Sequence, residues 1–305
     1  MKAMEQNKLE AFLEEKNISP KAKLEAYLAT SLNLRPASQI TIPAEFPSGL
    51  QMGHQIDEIV QPQMTQLQQI RDLRARAMAV QTLKKLLEKQ FETIVEDSDE
   101  YRIHYDWAKQ LELRTNQIKV RPTVHELYFY KERKTGGKIN KLMREREKIR
   151  RKVQRKPGEN VNSIRFAYPE EFDYKWLLKL GTELGYPECC VKQYAEDRKN
   201  NINVEARAAQ QLVEQVKETE VDTHVYYTGY FFPCNPQCEN ALKQGYKWQE
   251  TFDELHEKLG ELYTQNIYVN TELVLRQPEL IQKYLAQFKP KTKAVSYTHL
   301  TLPTN

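Results

Sequence analysis

The chain has 305 residues, of which 40% are hydrophobic and 29% charged, and its mean hydropathy is −0.75. No apolar run is long enough to span a membrane, and residues 1–16 lack the apolar stretch of a secretory signal. Glycine is scarce, and neither G-x-G-x-x-G nor G-x-x-x-x-G-K occurs, which excludes the common glycine-rich phosphate loops. The sequence therefore predicts a soluble, cytoplasmic protein whose thiols are kept reduced.

Three stretches of the N-terminal half differ in their hydrophobic pattern. Residues 1–35 are predicted to form a pair of short helices, with Ser19-Pro20 as the N-cap and first residue of the second. Residues 36–53 break the helical spacing with prolines and glycines, which indicates an extended linker. From about 61 to 95, apolar residues return every three or four positions, which predicts one long bundle helix.

Two short predicted strands precede a basic helix. Residues 118–121 and 125–130 have the composition of strands. The segment 131–156 then holds thirteen Lys or Arg against three Asp or Glu, an excess of +10 that leaves −6 for the rest of the chain. Its apolar residues fall on one helical face. We therefore predict a long helical region at 54–157 that ends in a basic helix.

The C-terminal half, residues 160–290, is predicted to be a compact α+β domain. Its predicted elements are a strand at 164–167, a helix ending at Gly185, helices from Pro187 and through Ala209–Val216, a strand at 224–232, a helix from Pro236 and a last helix at about 271–288. The last residues, 296–305, resemble a translated sequencing adapter, so we leave this non-native tail out of the fold. The predicted fold class is mainly α with a small β component.

The four cysteines of the chain form two pairs, Cys189-Cys190 and Cys234-Cys238. Pro187 precedes the first pair, and Asn235-Pro236 within the second has the pattern of an N-cap and a first helical residue. Both pairs are thus predicted at helix starts, where free N–H groups and the helix dipole lower the pKa of a thiol. If the two helix starts converge, four thiolates face one point.

These cysteines predict a metal site, because thiolates bind zinc or iron–sulfur clusters and four of them satisfy either. The candidate ligands are Cys189, Cys190, Cys234 and Cys238, with His224 in reserve, and zinc is slightly favoured over a cluster. The spacing matches no standard C-x-x-C zinc knuckle. Adjacent side chains diverge, so one of Cys189 and Cys190 is also open to a simple core role.

The block from Leu184 to Val191, followed by the aromatic-Pro-Cys-x-x-x-Cys element of residues 232–238, resembles a family of uncharacterised prokaryotic proteins called domain of unknown function 483. The resemblance covers roughly residues 168–262. It implies membership of a family but brings no activity with it, so the chemistry must come from the residues.

Two other interpretations of the cysteines remain open. One is thiol chemistry, as an oxidoreductase or transferase, in which one cysteine of each pair forms a reversible disulfide. The other is a purely structural role, because free cysteine is among the most buried residue types. No order of Cys, His and Asp matches a known hydrolase, so the sequence predicts no catalytic triad, names no substrate and leaves open whether the protein is an enzyme.

The basic segment supports a further alternative, a nucleic-acid-binding adaptor with structural cysteines. Lys and Arg along one helical face are the electrostatic footprint of contacts to phosphates. The candidate contact residues are Lys138, Lys141, Arg144, Lys148, Arg151, Lys152 and Arg155. No pattern for base recognition is visible, so such binding is expected to involve the backbone of the nucleic acid. The competing explanation is a solvated face, or pairing with acidic groups of the same chain. No membrane partner is predicted.

Overall fold

The computed structural model describes residues 6–154 and 164–287. Up to the end of the last strand, the elements are α1 (Gln6–Glu14), α2 (π-helical over Ala22–Leu28, then α-helical over Ala29–Ser31), β1 (Ala37–Ile42), α3 (Gly49–Gln69), α4 (Leu73–Phe91), α5 (Asp99–Gln110), β2 (Arg114–Arg121) and β3 (Val124–Tyr130).

The later elements are helical. They are α6 (Arg133–Gln154), α7 (Ile164–Ala167), α8 (Tyr174–Glu183), α9 (Glu188–Lys199), α10 (Val204–Glu218), α11 (Glu239–Leu255) and α12 (Glu257–Gln287), with 3₁₀ turns at Pro169–Phe172 and Thr223–Tyr226.

The described residues divide into two compact units. The first unit holds residues 6–27, 39–129 and 284–287, and the second unit holds 28–38, 130–154 and 164–283. Of the described residues, 71% are helical, and three strands among them form a small antiparallel sheet of order β1–β3–β2, so the predicted fold class is confirmed. Within the described ranges, no helix is both long and apolar enough to cross a membrane. The predicted domain limits stay predictions.

The core of the first unit is aromatic. The rings of Phe12 and Trp107 have centroids 4.9 Å apart, and those of Tyr27 and Phe129 are 4.4 Å apart. His104 lies among them, fully buried, with its Nδ1 2.7 Å from Tyr27 Oη. Burial lowers the pKa of His104 to about 4, because the charged imidazolium loses its hydration. His104 is therefore neutral near pH 7 and acts as a core residue.

His125 on β3 is a second buried histidine in this unit. Its ring centroid lies 4.0 Å from that of Phe91, and its Nδ1 lies 2.7 Å from Nε2 of Gln117. Burial, followed by the nearby charge of Lys119, lowers the pKa of His125 to about 4. The first unit thus contains two histidines that fold in the neutral form.

The structure corrects two predictions in the N-terminal half. The segment 36–53 is not a linker, because it forms β1, which pairs with β3, and then the start of α3. The single helix predicted at 61–95 is interrupted at Ile70, whose backbone is extended at φ −75° and ψ 114°. Asp72 then caps α4 by accepting a hydrogen bond from the amide of Ala75 at 2.7 Å.

Other local predictions in this half are confirmed. Ser19 caps the second helix by accepting a hydrogen bond from the amide of Ala22 at 3.2 Å. The strands predicted at 118–121 and 125–130 are present as β2 and β3. The basic segment forms one continuous helix, α6, from Arg133 to its last described residue, Gln154.

The second unit contains no strand at either C-terminal position predicted for one. Residues 164–167 form the single helical turn α7, and residues 224–232 form the end of a 3₁₀ turn followed by irregular chain. The backbone carbonyls of Tyr226 and Tyr227 accept hydrogen bonds from Asn270 Nδ2 and Tyr263 Oη of α12. Side chains of a helix thus take the place of a neighbouring strand, although the burial expected from the aromatic sequence is confirmed.

The last two helices also differ from their predicted limits. The helix predicted from Pro236 begins at Glu239, and the last helix begins at Glu257 instead of near 271. The break between them falls at His256, which is extended at φ −169° and ψ 130°. Its Nδ1 accepts a hydrogen bond from the amide of Lys258 at 3.2 Å and so caps α12. The tail at 296–305 lies outside the described residues.

Candidate metal centre

The first cysteine pair is set by the turn between α8 and α9. Gly185 ends α8 with a positive φ of 77°, and a Cβ there would lie 2.6 Å from Cδ of Pro36. Pro187 is the N-cap of α9, one position earlier than predicted for it. Cys189 and Cys190 therefore lie in the first turn of α9, as the sequence indicated.

The second pair brackets a tight turn. Asn235 does not cap a helix, as predicted, but accepts hydrogen bonds from the amide of Gln237 through its side chain and from the amide of Cys238 through its carbonyl. Pro236 occupies the second position of this turn, which its fixed φ favours. Cys238 is then the N-cap of α11. Cys234 precedes the turn, and Cys238 ends it at a helix start.

The four sulfur atoms meet at one point. Sγ of Cys238 lies 3.6 Å from that of Cys189 and 3.5 Å from that of Cys190, and the sulfurs of Cys189 and Cys190 are 3.9 Å apart. With Cys234 included, all four ligand atoms lie within 4.8 Å of one another. Both adjacent cysteines thus contribute a sulfur, which corrects the expectation that their side chains diverge. The predicted convergence of the two helix starts is confirmed.

Burial differs within the group. Cys190 and Cys238 are 1% and 5% exposed, whereas Cys189 and Cys234 are partly exposed. Each sequence pair therefore contributes one cysteine packed into the second unit and one at its surface.

N–H groups point at three of the sulfurs. Nδ2 of Asn240 donates to Sγ of Cys189 at 3.4 Å, and Nδ2 of Asn235 donates to Sγ of Cys234 at 3.6 Å. The backbone amide of Cys234 donates to Sγ of Cys190 at 3.4 Å. Donors of this kind favour the thiolate form, as do the N-terminal ends of α9 and α11.

The thiols respond differently to this setting. Burial raises the pKa of Cys190 well above its ordinary value, and it raises the pKa of Cys234 to about 11. Burial also acts on Cys189, but the hydrogen bonds from Asn240 and the neighbouring thiols outweigh it, so the pKa of Cys189 is lowered. One partly exposed thiol is therefore disposed to ionise, while a cation is needed to draw the buried thiol of Cys190 into the charged form.

Arg207 of α10 fixes the loop that carries Cys234. Its Nη1 donates to the carbonyls of Pro233 and Cys234, each at 3.3 Å. Its Nε lies 2.6 Å from Oδ2 of Asp197 on α9, an ion pair in which the Asp197 side chain is 2% exposed. Arg207 therefore ties the loop of one cysteine to the helix that carries two others.

A second arginine supports the turn before α9. Nε of Arg35 donates to the carbonyl of Leu184 at 3.0 Å, and its guanidinium carbon lies 5.0 Å from the ring centroid of Tyr186. Tyr186 also stacks on Phe231, with centroids 5.4 Å apart and planes 10° apart. The cysteine pairs are thus linked through rings that lie three positions before Cys189 and three before Cys234.

His224 is not a member of the four-sulfur group. Its Nδ1 lies 2.8 Å from Oδ1 of Asp222, and its ring stacks on Tyr246 at 4.3 Å. Tyr246 donates a short hydrogen bond to the other oxygen of Asp222. A Cβ at position 245 would lie 2.1 Å from the carbonyl oxygen of His224, so Gly245 permits α11 to approach this turn closely.

The predicted nucleic-acid contacts are not equivalent in the structure. Lys138 is ion-paired with Glu183 at 2.8 Å. Five others are exposed on α6, namely Lys141, Arg144, Lys148, Arg151 and Lys152. Arg155 lies outside the described residues.

Sequence reasoning missed the residues that support the sulfurs. Asn240 follows Cys238 by two positions, so an amide in the first turn of a cysteine-capped helix could have been recognised as a donor. Arg207 and Arg35 are distant in sequence from both cysteine pairs, and no local pattern distinguishes them from other arginines.

Comparison with known proteins gives a match to the part of the chain that carries the cysteines. A family model described as "Protein of unknown function (DUF483)" matches residues 133–265. This region is therefore similar to the DUF483 family. The expected resemblance is confirmed, and the DUF483 match begins earlier than expected, at the start of α6. It contains all four cysteines and also His224.

One curated relative is described as "Uncharacterized protein MJ1106" from Methanocaldococcus jannaschii. It is 35% identical over 89 residues, which are 28% of this chain and 48% of that protein. The match thus spans about half the length of the relative. No solved structure matches the chain.

Proposed function

We propose that this protein binds one zinc ion through the thiolates of Cys189, Cys190, Cys234 and Cys238. The observation that carries the proposal is the placement of four sulfurs within 4.8 Å of one another. The chain has no other cysteine, so two sequence segments 44 positions apart, from Cys190 to Cys234, supply the complete set.

The spacing of the sulfurs favours a single ion over a cluster. A zinc ion with four sulfurs at about 2.3 Å in a tetrahedron sets them about 3.8 Å apart. The sulfur–sulfur separations of 3.5, 3.6 and 3.9 Å among Cys189, Cys190 and Cys238 agree with that edge. An iron–sulfur cluster places several iron and sulfide atoms between its cysteine ligands, so its thiolates must stand further apart.

Four protein ligands complete the coordination of zinc and leave no position for water or substrate. Closed four-cysteine sites of this kind are structural, whereas catalytic zinc sites keep one position open. The ion would join the first turn of α9 to the start of α11 and to the loop held by Arg207. We therefore propose that zinc stabilises the second unit, in a reducing compartment such as the cytoplasm.

Thiol chemistry is the competing function of the same residues. It is favoured by the partial exposure of Cys189 and by the lowered pKa of its thiol. The buried Cys190, whose pKa is raised, has no evident part in such chemistry, whereas a metal site uses all four sulfurs.

The test is the metal content of the full-length protein purified anaerobically, with its ultraviolet–visible spectrum. We expect about one zinc per chain and no visible absorbance. The Cys234→Ser and Cys238→Ser variants should each lose most of the metal. The matched control is His224→Ala, which should keep it, because His224 stands outside the sulfur group.

Each other result has a definite meaning. Iron with a broad visible absorbance would replace zinc by a cluster or a single iron. Absence of metal, with four thiols that react freely, would overturn the proposal and leave thiol chemistry. Loss of metal in His224→Ala would show a different ligand set.

A further inference from the structure

We propose that the exposed face of α6 binds the phosphate backbone of nucleic acid, independently of the metal. The basic stripe is the set of exposed cations along this face. It consists of Lys134, Lys141, Arg144, Lys148, Arg151 and Lys152. Successive members of the stripe are about one, three, four or seven residues apart. At these spacings their side chains lie within roughly one third of the helix circumference. From end to end the stripe is about 27 Å long, at 1.5 Å per residue.

The acidic residues of α6 do not neutralise the basic stripe. Oε2 of Glu145 is paired with Nζ of Lys179 on α8 at 2.7 Å. Glu147 lies 3.7 Å from Nη1 of Arg150. Across the part of the chain that the structure describes, no ion pair involves a member of the stripe. The stripe therefore presents an uninterrupted row of positive charge.

The opposite side of α6 is fixed to the second unit. Ile139, Leu142 and Met143 are at most 5% exposed. The backbone carbonyl of Leu142 accepts a hydrogen bond from Nε1 of Trp176 at 3.0 Å. Because its apolar face is already buried, α6 has no face left to insert into a bilayer, which argues against a membrane-surface helix.

Two arginines of the helix are not part of the stripe. Arg146 is 2% exposed. Arg150 binds the buried carboxylate of Glu170, with Nε 3.0 Å from each carboxylate oxygen. The inward arginines hold the helix while the outward cations stay free to meet an anion. A row of cations about 27 Å long suits a regular polyanion, because both Lys and Arg bind phosphates. Since α6 is already fixed to the second unit, the helix need not move for the row to bind.

The test is fluorescence anisotropy of labelled RNA and DNA of about 20 nucleotides and identical sequence, titrated with the full-length protein at several salt concentrations. The stripe variant is K141Q/R144Q/K148Q. The matched control is R71Q/R74Q/R76Q, which removes three exposed arginines, one just before α4 and two in its first turn, and lowers the net charge equally. Circular dichroism and metal content establish that both variants fold.

We expect the stripe variant to bind about a hundredfold more weakly at 0.1 M salt, with the slope of log affinity against log salt reduced by about 2. The control should bind like the unaltered protein. Equal losses in both variants would reduce the effect to overall charge and overturn the proposal. So would absence of binding to both oligonucleotides, or binding only to phosphatidylserine vesicles. Preference for RNA or DNA would identify the backbone that the stripe fits.

Discussion

The two units of this protein are stabilised in different ways. In the first unit, aromatic rings and two neutral histidines pack in the core, so the burial of uncharged side chains accounts for its stability. In the second unit, an aromatic core that includes Trp248 and Phe252 accompanies four thiols within 4.8 Å. Thiolates so close together repel one another, and a cation relieves that repulsion. Burial of uncharged groups thus explains the first unit, whereas in the second unit the zinc ion that we propose would supply the charge that four neighbouring thiolates need.

Removal of the zinc ion that we propose should have the most different effects on the two units. Structural zinc contributes about 10–16 kcal/mol to small zinc-dependent folds. We expect chelation to speed amide hydrogen exchange in the first turns of α9 and α11 by at least about tenfold. Exchange in α5 of the first unit should not change. Equal acceleration in both places, or none in either, would contradict the comparison.

Lowering the pH should destabilise the first unit. His104 and His125 have pKa values of about 4 when folded and about 6.5 when unfolded. Unfolding therefore takes up protons, and the free energy of unfolding falls as the pH drops from 6.5 toward 4. The expected loss is about 2 kcal/mol per histidine between pH 7 and pH 5.

Hydrogen exchange of α5 amides at the two pH values, corrected for intrinsic rates, measures this loss. In His104→Gln, the loss of unfolding free energy between pH 7 and pH 5 should be smaller by about 2 kcal/mol, the contribution of one histidine. The matched control is His54→Gln, which replaces an exposed histidine of the same unit. If His104→Gln keeps the full loss, its protonation is not the cause.

The smallest expected effect concerns the support of the sulfurs. Arg207→Ala should weaken zinc binding by about 10–100-fold, because residues that orient metal ligands typically have effects of this size. The control is Arg198→Ala, which removes the ion pair of Arg198 with Glu205 at 3.3 Å, also between α9 and α10, but no contact to the cysteine loop. Competition with a chromophoric chelator measures both affinities. A similar loss in both variants would assign Arg207 a general structural role.

The convergence of the four cysteines could be predicted from the sequence because its signals are local. Pro187 before one pair correctly indicated a helix start, whereas Pro236, predicted as a first helical residue, lies in a tight turn just before α11. The strand predicted at 224–232 failed because its buried carbonyls bond to side chains of α12, which no local pattern shows. Arg207 was missed for the same reason. The contacts that orient the sulfurs come from residues distant in sequence, and only the folded chain brings them together.

X-ray absorption at the zinc edge of the loaded protein tests the central claim most directly. We expect four sulfur neighbours at about 2.3 Å, with no nitrogen or oxygen ligand and no second metal. Fewer than four sulfurs, a nitrogen in place of one of them or a metal–metal distance would contradict it.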